Sequence, residues 1–504
     1  MNKQNKDLNS MKQDFYTLRD PKSGQKIKAK IESALKDQEK YLRKWYAFSK
    51  ENTNVYPSQG LLTTPYDYLD YESMQMLPQE KILQAVTLRL YFLELFNHPY
   101  RVHYLKLVSS DKFHPVPKIK GDAFETAKGF GLSLSIGDLG ASVVGSKKVR
   151  TSRTERYAQG PFVKLGKYAR TLFVGSESPD VWNSAASIST MAASHCLTAI
   201  PRNGVMADIK RQCDLAKEAF SWLKTTEDII LDKRDDRKEI AKMWKRNIMA
   251  ALSASPEKAL NRSEKLYKAG VRAFRVYSPE PGTGPINTVK SLRKEYGNNV
   301  EIFSGQVVDV DQAKRVEEAG ADGIFVGIGG GGRCITGIRS GSVIDWPELV
   351  WNLRGEIGIP IIVQGGATDH VAITLLLGAS GIGVSRAVSG GTIESPGGAL
   401  YWSGKDGKLF KPYGGEASAR TKFLENKVLP FEIPAFVEGE TTKAEMSYVK
   451  HALPTLTYNL HLLIEDAILA MVFRNVGSVD ELQTINPSPL RRATSLDVMQ
   501  RSTH

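Results

Sequence analysis

Residues Ile359–Val388 read IPIIVQGGATDHVAITLLLGASGIGVSRAV: a short β-branched run closed by two glycines, a helical stretch opening near His370, and a second β-branched run after Gly378. Strand, tight turn, helix, strand is the repeating unit of a parallel sheet, because parallel neighbours need a crossover connection between them. Similar runs recur along the chain: TLFVGS from Thr171, HCLTAIP from His195, NIMAALS from Asn247, VRAFRVYS from Val271, NVEIFSGQVV from Asn299 and DGIFVGI from Asp322. A charged helical stretch follows each. Counted with the two runs of the opening stretch they make eight, and the pattern predicts a closed (β/α)8 TIM barrel.

In such a barrel the chemistry sits on loops leaving the C-terminal strand ends. The sixth run feeds GIGGGGRCITG, the seventh ends on Gly365 and Gly366, and the eighth ends on Ser385 and Arg386, the usual barrel phosphate position. A glycine-rich backbone approaches a ligand closely and points several N–H groups at one anion. Cys334, inside the glycine loop, is either a small buried residue or a nucleophile, and its place in the loop favours the nucleophile.

Outward from the barrel, residues 27–106 carry apolar positions at helical spacing, and FHPVPKIKGD (Phe113–Asp122) breaks that period with two prolines. The expected organisation is a small, mainly helical and basic N-terminal region over 1–120, the barrel over 121–485, and a C-terminal tail over 486–504. The net charge of +13 is uneven, since residues 1–50 hold 13 Lys and Arg against 6 Asp and Glu. A solvated helix face explains this excess better than nucleic-acid binding, because no RNA-binding or zinc-finger pattern accompanies it. Three cysteines in 504 residues make no disulfide framework, and no Cys or His spacing suggests zinc. With no apolar run near the ~20 residues of a membrane span and no apolar leader, the expectation is a cytoplasmic protein without membrane partners.

VGIGGGGRCITG (Val326–Gly337), the Ile359–Gly398 segment and KLFKPYGGEAS (Lys408–Ser418) resemble, in order and spacing over most of residues 170–415, the core of the IMP dehydrogenase and GMP reductase family. AGADGIFVGI (Ala319–Ile328) strengthens the likeness, and His461–Gln483 extends it weakly. The resemblance implies a purine nucleoside monophosphate as substrate and NAD or NADP as redox partner. It further implies a homo-oligomer, a tetramer by family habit, and a monovalent cation such as K+ held by carbonyls of Gly329, Gly331 and Cys334. In the dehydrogenases the loop cysteine attacks purine C2, hydride leaves, and water hydrolyses the adduct. Cys334 stands at the nucleophile position and Thr336 at that of the threonine that helps activate water or ammonia. By the same likeness Gly331, Gly332, Arg333, Gln364, Gly365, Gly366, Ser385, Arg386, Tyr413, Gly414 and Gly415 line the nucleotide, and Tyr277, Gln306 and Gly327 the cofactor.

Departures from the family pattern stand at several of these positions. Gln364 replaces the aspartate that grips the ribose, Gly332 a phosphate-contacting serine, and Arg386 a glycine. Tyr277 replaces the acid facing the nicotinamide, and Gln306 an asparagine. Ala207–Arg246 holds only a charged helical segment where many dehydrogenases carry a regulatory CBS pair, and the flap after the nucleotide loop is short and lacks an Arg-Tyr pair. This last absence suits the reductase branch, which couples the threonine with a glutamate; Glu416 is the candidate. His195 reads as a core or strand-end residue and His370 as a helix cap. The leading expectation is an IMP dehydrogenase-like oxidoreductase. The alternatives are a GMP reductase-like enzyme, an inactive nucleotide-binding barrel with an N-terminal partner-binding region, and, last, an FMN barrel.

Overall fold

The computed structural model describes residues 3–18, 21–36, 43, 73–120, 134–136, 151–278, 282–327, 346–365, 367–435, 437, 439, 441–446 and 455–492. Eight parallel strands form a closed barrel: β1 Tyr168–Gly175, β2 Cys196–Ile200, β3 Ile248–Ser253, β4 Ala273–Tyr277, β5 Glu301–Val307, β6 Gly323–Val326, β7 Ile361–Val363 and β8 Gly381–Val384. Closure is made by β8 on β1, with Ile382 beside Phe173 and Val384 beside Gly175. The strands are buried nearly throughout, since barrel strands face a packed interior on one side and helices on the other, and continuous apolar runs suit that environment. Seven of the runs read from the sequence contain one of these strands, and the first, from Thr171, covers all of β1 but its first three residues. The run at Asn247, the faintest of the eight, is paired on both sides.

A short strand, Phe162–Leu165, pairs antiparallel with β1. There the buried Arg170 meets the Glu301 carboxylate at 2.6 Å, so the start of β5 is tied to β1.

Helix Gln79–Phe96 packs on the C-terminal helix Leu456–Phe473, and both share one apolar core with the barrel and its helices. Its Arg89, fully buried, donates to Thr190 Oγ1 at 2.8 Å and lies 3.9 Å from the Glu394 carboxylate. Glu394 in turn accepts from Thr455 Oγ1 at 2.5 Å and from the Leu456 amide at 3.1 Å. The change of sequence character near residue 120 is therefore not a gap in the packing. Leu456–Phe473 is long and apolar enough by composition to cross a membrane, a property the sequence reading passed over, and half of it is buried in the chain.

Between β2 and β3, helices Ile209–Ile230 and Arg237–Arg246 occupy the interval in which no further module was expected. After β8, strands Leu400–Ser403 and Leu409–Gly414 join Ser73–Met76 and Thr441–Glu445 in a four-stranded antiparallel sheet. Its strand Leu409–Gly414 delivers Tyr413 and the loop Gly415–Ser418 towards the barrel.

Candidate active site at the C-terminal barrel mouth

Four polar side chains meet where β1, β4, β5 and β7 end. Arg275, two residues before the end of β4 and fully buried, forms an ion pair with the buried Glu177 that follows β1. Its Nη2 donates to Gln364 Oε1 at 2.7 Å. Gln306, at the end of β5 and 3% exposed, donates from Nε2 to the same oxygen at 2.6 Å. The guanidinium also lies over the Phe325 ring at 4.0 Å and near the Tyr277 ring at 5.1 Å. Burial pushes the Arg275 pKa down to about 10, opposed by the negative charge of Glu416. It stays a cation at neutral pH.

Glycines make room for this arrangement. A Cβ on Gly383 would come within 2.8 Å of Gln364 Cγ, and one on Gly327 within 2.2 Å of the Gln364 carbonyl. Gly327 also takes φ +106°, a conformation open to glycine and strained for other residues.

The loop from Tyr413 to Ser418 is pinned beside the same mouth. Asp180, in the short helix Pro179–Trp182 after β1, receives Arg420 Nε at 3.0 and 3.1 Å, both side chains being buried. Ser178 Oγ donates to the Gly414 carbonyl at 3.2 Å. Ser418 and Thr421 hydroxyls both donate to the Gly415 carbonyl at 2.8 Å, and Ser418 caps helix Ala419–Leu424. Glu416 accepts from Asn203 Nδ2 at 2.9 Å. Although the residue keeps some exposure, burial of its carboxyl raises the pKa above the usual carboxylate range, against the pull of Arg202 and Arg275. Arg202 sits 5.6 Å from the Tyr277 ring, so β2, β4 and the Tyr413 loop meet in one charged wall.

At the end of β8, the Ser385 hydroxyl bonds that of Ser176 and accepts from Trp182 Nε1 at 3.4 Å. Arg386 opens the short helix Arg386–Ser389, and Gly365 takes φ +83°. The structure thus gathers Gln364, Gln306, Tyr277 and Glu416 around one mouth, bordered by Ser385, Arg386, Gly365, Gly327 and the loop of Tyr413, Gly414 and Gly415. Gly329, Gly331, Gly332, Arg333, Cys334, Thr336 and Gly366 lie outside the described residues, and with them the expected nucleophile and cation loop. Among the described residues no group of His, Cys, Asp or Glu has the arrangement of a metal site.

Two histidine readings meet the structure differently. His195 is a core residue at the start of β2, with φ +60° and Nε2 2.7 Å from Asn97 Oδ1. His370 occupies the N-cap position of Val371–Leu377, yet its side chain makes no capping bond. The cap expected from sequence is absent because the chain enters that helix through a 3-10 turn, Ala367–His370.

Sequence reasoning missed Arg275 and Glu177. The signal was present in AFRVY, where a charge interrupts a strand buried on both faces and so must find a partner inside.

A closed (β/α)8 barrel with a polar, charged C-terminal mouth is the architecture of a large class of enzymes. Within it, the chain belongs to the IMP dehydrogenase / GMP reductase domain family, which residues 174–461, more than half of the sequence, match. The chain is 35% identical over 165 residues to inosine-5′-monophosphate dehydrogenase of Nitrosopumilus maritimus, covering 32% of this chain and 34% of that protein. It is 30% identical over 189 residues to inosine-5′-monophosphate dehydrogenase 1 of Arabidopsis thaliana, covering 36% and 37%. With the Helicobacter pylori inosine-5′-monophosphate dehydrogenase it shares 31% identity over 191 residues, covering 36% and 39%. The matched part spans little more than a third of these relatives.

Proposed function

We propose that the chain is a cytoplasmic purine-nucleotide oxidoreductase of the IMP dehydrogenase type, with Cys334 adding to purine C2. The observation that carries this reading is the convergence of the family's elements on one mouth. The end of β6 that feeds the cysteine loop, the Gly365 turn, the end of β8 and the Tyr413 loop held by Asp180–Arg420 all border it.

Tyr277, with its planar ring, and Gln306, whose buried Oε1 has no hydrogen-bond partner among the described residues, suit a planar ring bearing hydrogen-bond donors, as nicotinamide and purine do. NAD or NADP, when bound, supplies hydride exchange. The protein's part is to orient the nucleotide through the Tyr413 loop and the strand-end glycines, to present Cys334 as thiolate, and to take up its proton.

The carboxyl of Glu416 favours a second reading, the reductase direction. Burial raises its pKa above the usual carboxylate range, against the pull of Arg202 and Arg275, which eases proton transfer to the amine that leaves purine C2 in the reductase direction.

A thermal-shift panel with IMP, XMP, GMP and AMP, each with and without NAD or NADPH, tests both readings. A ligand at about a hundred times its dissociation constant adds roughly 2.7 kcal/mol of stability. Stabilisation by IMP or GMP is expected. No response to any of the four removes the family's reaction from consideration.

A further inference from the structure

We infer that Arg275 is a specificity-determining residue: by fixing how the Gln364 and Gln306 amides point, it shapes the mouth for an uncharged amide edge, a carbonyl beside an N–H, and against a carboxylate. The inference rests on the proposed reading of this mouth as the substrate and cofactor site, and names the chemistry recognised there.

A guanidinium has donors only. The Gln364 atom 2.7 Å from Arg275 Nη2 is therefore the amide oxygen, and the Gln306 atom 2.6 Å from that same oxygen is an amide nitrogen. Neither amide is free to flip while Arg275 stands between Glu177 and Gln364. What remains on Gln364 is its N–H pair, which takes no hydrogen bond among the described residues. What remains on Gln306 is Oε1, an acceptor without a partner among the described residues on a side chain 3% exposed. Buried acceptors are normally satisfied, so this oxygen awaits a donor. Glu177 Oε1 is a second buried acceptor in the same state.

The charge balance points the same way. Arg275 and Glu177 neutralise each other inside the barrel, so this pair presents no net charge to a group held between Gln306 and Gln364. A carboxylate there would face the acceptor oxygens of Gln306 and Glu177, which make no hydrogen bond among the described residues, beside the equally unpaired Arg275 Nε. A carboxamide or a purine lactam instead brings an N–H to Gln306 and a carbonyl to Gln364.

Two matched pairs on the full chain test this by calorimetry. Nicotinamide mononucleotide against nicotinate mononucleotide exchanges a carboxamide for a carboxylate. IMP against purine riboside 5′-monophosphate removes the lactam. At least a tenfold preference for the amide partner is expected in one pair, and the pair that shows it identifies the source.

In the double variant Glu177→Gln/Arg275→Met, which leaves no lone buried charge, the preference should fall below threefold. In Gln306→Leu, which removes the acceptor alone, amide probes should weaken at least tenfold while acid probes hold. A merely structural role would shift stability and leave the amide-to-acid ratio unchanged. Equal affinities within both pairs overturn the inference, as does an undiminished preference in the variants. If IMP or GMP still binds in that event, the site reading stands and the inference alone falls. If no nucleotide binds, both fall together.

Discussion

Arg275 Nη2 donates to Gln364 Oε1 at 2.7 Å, a bond that runs from the fourth barrel strand to the end of the seventh. The same guanidinium holds Glu177 beyond the first strand, so one side chain braces three separated strand ends. Removing one member of a buried pair leaves the other charge uncompensated, at a cost of about 3–5 kcal/mol. Arg275→Met alone should lower the urea midpoint strongly, and Glu177→Gln/Arg275→Met should recover most of the loss. If the double variant is no more stable than the single one, the pair does not carry this energy.

Cys334, on the glycine loop after β6, is expected to be the nucleophile under the proposed function. Cys334→Ala should abolish turnover of IMP or GMP and leave the melting temperature within a degree or two. Full turnover in that variant would remove covalent catalysis from the proposal.

A buried histidine, His195, and a half-buried one, His98, predict an acid-sensitive fold. Burial, assisted by Arg101 and Arg234, lowers the His195 pKa to about 3, and burial with the same two arginines lowers that of His98 to about 4. Both pKa values lie below the 6.5 of the unfolded chain. The unfolded state therefore binds more protons between these values, and stability falls as pH drops from about 6.5 towards 4. His98 Nδ1 accepts from the Tyr100 amide as a helix N-cap, a role asparagine also fills. Denaturation midpoints at pH 7.5, 6.0 and 5.0 should decline in the native chain and less in His98→Asn. Parallel curves would contradict the assignment.

Gly327 predicts a localised steric failure. Alanine there combines φ +106° with a Cβ 2.2 Å from the Gln364 carbonyl, so strain of about 1–3 kcal/mol comes from the backbone alone. Gly415→Ala, whose Cβ would meet nothing within 4 Å, is the control and should leave the melting temperature nearly unchanged. Both substitutions can be read in one calorimetric series. Equal melting temperatures would show that β6 and β7 yield at this contact.

The barrel was legible in the sequence because each strand is a local signal. A run such as IPIIVQGG states its burial through β-branched residues and its end through glycine, with no reference to the rest of the chain. Gly365, Ser385 and Arg386 at strand ends followed from counting such runs, whereas Gln364, Gln306, Tyr277 and Glu416 were named through the family resemblance. The His370 side chain escaped the same logic because the turn preceding it, not the residue type, sets whether it caps.

By itself the sequence determined the eightfold βα repeat and the strand ends that border the site. Only the tertiary structure decided what the residues there do to one another. Arg275 is the plainest case: in AFRVY it reads as an interruption, and in the barrel it turns two amides and neutralises a glutamate nearly a hundred residues away. Arg89 with Glu394 and Asp180 with Arg420 are joined in the same manner. The physical reason is that a buried charge must find its partner in space. Local periodicity encodes which face is buried, and barrel closure alone fixes which distant side chains share it.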